Sequence, residues 1–123
     1  MTKQRGYYKL KIGGKVRTLH FSMNFWSAFC DEMGIKLENI GDVFADGLDL
    51  KTIRAIFYCA ILSFDQEEGN EIDYTVFKVG SWLEDITAEQ IQEVIIAMGE
   101  SKILGNEMNM GIERNAKTAK AGK

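Results

Sequence analysis

Residues 11–21 read KIGGKVRTLHF, with Gly13-Gly14-Lys15 between two stretches that alternate apolar and polar side chains. Either the glycines cradle a phosphate, or they form the bend of a β-hairpin. A phosphate loop of the G-x-x-x-x-G-K-[ST] type leads into a helix. If Gly14-Lys15 were its end, the first glycine would fall at Lys9 and the hydroxyl at Val16, and the following VRTLHF alternates like a strand. No helix N-terminus would then face the anion. The hairpin reading survives: a Gly-Gly turn pairs Ile12 with Lys15, Leu10 with Arg17 and Tyr8 with Leu19. Tyr8, Leu10, Ile12, Leu19 and Phe21 then share one face, with Arg17 as its single charged member. Lys9, Lys11, Val16, Thr18 and His20 take the other.

After Phe21 the apolar period changes from two to about 3.6. Four segments carry an N-cap residue with an apolar residue before it and another five positions after that one. They are Phe21-Ser22 with Trp26, Leu48-Asp49 with Ile53, Ile72-Asp73 with Phe77, and Ile86-Thr87 with Ile91. The cap accepts an otherwise orphan N–H and the apolar pair clamps the entering chain; Thr87 with Gln90 adds a capping box. The spacing predicts helices over about 23–33, 38–46, 50–64, 74–84 and 88–104. Gly34, Gly47 and Gly105 serve as stops. Helix 74–84 is expected to bury Phe77, Gly80 and Leu83, with Trp82 beside them. The acidic stretch DQEEGNEID, 65–73, reads as a solvated loop ending in the Asp73 cap.

The fold class is therefore α+β: an N-terminal hairpin (7–21) packed on a bundle of four to five short helices, a single domain over 1–105. Its 123 residues are 46 % hydrophobic, enough for a core. Beyond Gly105 the periodicity fades into an expected flexible tail, 106–123, of net charge +2 against −5 for the remainder. An acidic body argues against a dedicated nucleic-acid binder. No apolar run reaches the roughly 18–20 residues of a membrane span. The charged MTKQRGYYK start has no apolar stretch behind it, so no signal peptide is expected. These features point to the cytoplasm.

Catalytic and metal chemistry find little support. His20 is the single histidine, which leaves multi-histidine metal sites out. A triad with Ser22 or Cys30 competes with the capping role of Ser22 and with the placement of Cys30 on another element. Asp31 and Glu32 diverge by about 100° on a helix, poor geometry for an acid/base pair. Cys30 and Cys59 lack CxxC spacing and read as buried thiols. Counted from Asp65, a calcium loop needs glycine sixth and glutamate twelfth; glycine is fifth and Val76 is twelfth. Trp26 and Trp82 read as core or core-edge residues on amphipathic helices. No catalytic residue, cofactor or metal is expected.

The order of hairpin, Leu-x-Phe entering an aromatic helix, apolar central helix, acidic loop and two further helices resembles the tail assembly chaperones of long-tailed bacteriophages and prophages. The residues that carry it are KLKIGGKVRTLHFSMNFWSAFCDEMGI, IRAIFYCAILSF and VGSWLEDITAEQIQEVIIAMGES, within 7–102. The resemblance implies a non-enzymatic helper in the bacterial host cytoplasm. Such a helper binds the tape measure protein, helps recruit major tail tube protein subunits, and is absent from the finished tail. It also implies a longer frameshifted product joined near 106–123. A chaperone of this kind needs exposed apolar surface for a helix. The candidates left after core assignment are Tyr7, Tyr58, Trp82, Met108, Met110 and Ile112. A homo-oligomer, another tail completion or connector protein, and a small nucleic-acid-associated regulator using the Lys-rich tail stay open.

Overall fold

The computed structural model describes residues 6–45 and 47–100, together with the backbone of two short strands at 102–103 and 106–107. Strands β1 (Tyr7–Ile12) and β2 (Lys15–His20) pair antiparallel in the expected register, Ile12 opposite Lys15 and Tyr8 opposite Leu19. Gly13 and Gly14 both have positive φ, 65° and 88°, which two-residue turns of this kind require. Leu10, Ile12, Leu19 and Phe21 are buried.

Helix α1 (Met23–Met33) runs between a Ser22 cap and a left-handed Gly34. It buries Phe25, Trp26 and Phe29, whose rings stack and meet edge-on with Phe21 and Phe44. The expected 38–46 helix is a 3-10 turn at Leu37–Asn39 followed by α2 (Ile40–Ala45), with Ile40 and Phe44 inside. The central α3 (Leu50–Glu68) begins at the Asp49 cap and packs against α1, β2 and α4. Then come α4 (Val76–Trp82), a 3-10 turn at Leu83–Asp85, and α5 (Ala88–Glu100), which borders β1. The capping box at the start of α5 is reciprocal: Thr87 N–H donates to Gln90 Oε1 and Gln90 N–H to Thr87 Oγ1. Among the described residues no helix is long and apolar enough to cross a membrane.

Three expectations change. The 65–73 loop is shorter than expected, because α3 continues to Glu68 and closes at left-handed Gly69. Asp65 and Glu67 anchor that last turn by accepting hydrogen bonds from Tyr74 and Ser22 respectively. Second, α4 is capped by Thr75, not Asp73. Tyr74, just before the cap, is buried with its hydroxyl held by Asp65. α4 buries Val79 and leaves Phe77 70 % exposed, against the expected burial of Phe77. Third, α5 stops at Glu100 rather than 104. Gly99 weakens its last turn, and Lys102–Ile103 pairs antiparallel with Asn106–Glu107. The boundary expected at 106 falls inside this ladder.

Candidate functional site

Three of the six candidate binding residues lie in the described structure, each half-buried. Trp82 lies beneath the hairpin turn: a Cβ on Gly13 would come within 2.5 Å of its ring. Arg17 stands 4.1 Å from the Trp82 ring centroid and 5.6 Å from that of Tyr74. Its Nε and Nη2 donate to the carbonyls of Ile12 and Gly13. The charged member of the apolar face is thus satisfied by backbone and aromatic faces. Tyr58 meets Tyr74 edge-on at 6.3 Å. Burial, and then the Asp65 carboxylate, raise the Tyr74 hydroxyl well above its ordinary pKa, so it remains a donor. Met108, Met110 and Ile112 lie outside the described residues.

Tyr7 stacks on His20 at 3.9 Å, on the hairpin's outer face. His20 Nδ1 is 2.6 Å from Glu67 Oε1, while Ser22 and Asn24 donate to Glu67 Oε2. Desolvation opposes ionisation of Glu67, but these bonds and the His20 charge outweigh it and hold its carboxyl below the usual range. Ser22 and His20 both address the glutamate, so the serine–histidine contact a triad needs is replaced by a carboxylate tie between hairpin and α3. Across the sheet, the Tyr8 hydroxyl donates to Glu93 of α5; burial and that carboxylate push it up to about 12.

The two cysteines are free thiols. Burial, then the carboxylates of Glu32 and Asp31, push Cys59 up to about 12, and burial with Asp31 raises Cys30. A thiolate nucleophile is disfavoured at both. Among the described residues no group of three or more His, Cys, Asp or Glu is placed to hold a metal.

A different feature stands out between the start of α3 and α4. A groove of about 550 Å³ is lined by Leu50, Lys51, Arg54, Phe77, Gly80, Ser81, Leu83 and Glu84; the Ser81 hydroxyl donates to the Phe77 carbonyl. Leu50 is 83 % exposed and Phe77 70 %. The Arg54 guanidinium lies 5.1 Å over the Phe77 ring, and its stem covers Gly80. Arg54 Nε is buried without a hydrogen-bond partner; among the described residues the indole N–H of core Trp26 is the other such side-chain atom. Reading α4 from Asp73 hides this site by sending Phe77 inward. The sequence signal that exposes it is the second capping residue in Asp73-Tyr74-Thr75.

With Leu50, Phe77 and Leu83 beside an arginine that has no ion pair among the described residues, the groove is suited to holding an apolar side chain with an anionic neighbour. No protein-family model, curated protein or solved structure matches the chain.

Proposed function

We propose that this protein is a non-enzymatic tail assembly chaperone of a long-tailed phage or prophage. It binds the tape measure protein in the host cytoplasm and helps recruit tail tube subunits around it. The reading starts from the resemblance of the hairpin and helix order, and the observation that best supports it is the open groove at Leu50 and Phe77. Covering each of those side chains with a partner helix is worth about 1.5–3 kcal/mol before ordering costs. A helper released from the finished tail is suited to a small surface of this kind, since modest interfaces exchange readily.

Co-expression tests the reading. The tape measure protein, a very long helix-rich chain encoded nearby, should become soluble and co-purify with this protein. A tape measure protein that stays insoluble and does not co-purify contradicts the proposal.

A further inference from the structure

We propose that the α3–α4 groove docks an amphipathic helix of another protein, one that seats a large apolar side chain between Leu50 and Phe77 and presents a carboxylate to Arg54. The inference rests on the chaperone reading only for the partner's identity; the chemistry comes from the groove.

Residues 6–100 contain twice as many acidic as basic side chains. Arg54 nonetheless has no ion pair among the described residues, not even with Glu84, which lines the same groove. Its described contact is the face of an exposed phenylalanine, and its Nε is shielded from water without an acceptor. A buried donor without an acceptor is costly, and a charge-assisted bond to a carboxylate removes that cost. No described residue supplies the acceptor. Leu50 and Phe77 line the same groove as Arg54, and Gly80, having no side chain, lets the Arg54 stem lie against α4. Two helices presenting Leu50 and Phe77 beside an arginine without a described ion pair suit helix-in-groove recognition. The chain's own 106–123 segment has an excess of Lys and Arg, the wrong sign for Arg54 and Lys51.

The test uses the full chain and two designed amphipathic helices of about 18 residues, long enough to hold helical structure. Both carry the same Leu/Phe stripe; one flanks it with Glu, the other with Lys. Amide and side-chain NMR shifts should move at Leu50, Arg54, Phe77 and Gly80, with the Glu helix binding about tenfold or more tighter. Arg54→Glu should reverse that preference, and Phe77→Ser should abolish binding of both, each variant keeping the native spectrum elsewhere. Equal affinity for the two helices, shifts confined to the hairpin, or no binding by either overturns the inference. So does a concentration-dependent dimer that Phe77→Ser dissolves. Peptide binding without tape measure co-purification would refute the chaperone reading alone. Tape measure co-purification undiminished by Arg54→Glu and Phe77→Ser would refute the groove alone.

Discussion

Arg17 and Arg54 make the same kind of contact in two different settings. Each guanidinium lies over an aromatic ring, and each site has a glycine where the packing is tight: Gly13 against Trp82, Gly80 against Arg54. At the hairpin the arginine's nitrogens donate to two backbone carbonyls, and the tryptophan beneath is half-buried. At the groove the ring faces solvent and the arginine Nε has no acceptor. Cation–π contact is therefore no guide to role by itself. The hairpin site closes the fold, whereas the groove leaves hydrogen-bonding capacity and apolar area unused.

That contrast should break under paired substitutions. Gly13→Ala is expected to cost about 2–4 kcal/mol, combining left-handed strain at φ 65° with a clash against a rigid indole. Gly14→Ala, equally left-handed but with nothing within 4 Å of its Cβ, should cost only the strain, about 1–2 kcal/mol. Gly80→Ala should go the other way, from neutral to about 1 kcal/mol stabilising. It sits within a helix, and the atom it meets, Arg54 Cδ, belongs to a flexible side chain. Urea unfolding of the three variants separates them; a Gly80→Ala loss as large as that of Gly13→Ala would erase the distinction.

Arg17→Ala should cost about 1–2 kcal/mol through the lost ring contact and carbonyl bonds. Arg54→Ala should leave stability unchanged or raise it by up to about 1 kcal/mol, because removing the unpaired Nε offsets the lost Phe77 contact. Thermal unfolding with the two variants side by side checks the ranking.

A smaller effect concerns the tie between hairpin and α3. Glu67 has a lowered pKa in the fold, so its stabilising contribution is complete above the ordinary glutamate value near 4.3. The contribution is lost as pH falls through the lower folded value. At this exposed position it amounts to under about 1 kcal/mol. Glu67→Gln should flatten the acid limb of stability between about pH 5 and pH 3 relative to the parent. An unchanged acid limb would show that the bonds to His20, Ser22 and Asn24 do not hold in solution.

The hairpin and α1 were legible because their information is local. Alternation sets the faces, two glycines supply the turn, and Ser22 and Gly34 bracket an unbroken aromatic stripe. Arg17 was visible as an anomaly, but its partner Trp82 is far along the chain and only tertiary packing joins them. The phase of α4 was not legible for the same reason. Asp73 and Thr75 are both good caps, and the choice is made by Tyr74, which docks beside Tyr58 and Trp82 and bonds Asp65. With Tyr74 docked there, α4 turns Val79 inward and leaves Phe77, an expected core residue, at the groove. Tyr7, Tyr58 and Trp82 were singled out as aromatic residues without a core assignment; sequence pattern does not reveal their contacts with His20, Tyr74 and Arg17.

The central claim is that the groove, rather than the hairpin, meets the partner. Amide hydrogen exchange of the chain alone and mixed with its proposed partner, the tape measure protein, measures this directly. The account predicts added protection over residues 50–54 and 77–84, with 7–20 unchanged. Protection concentrated on the hairpin, with the groove exchanging as in the free chain, would contradict it.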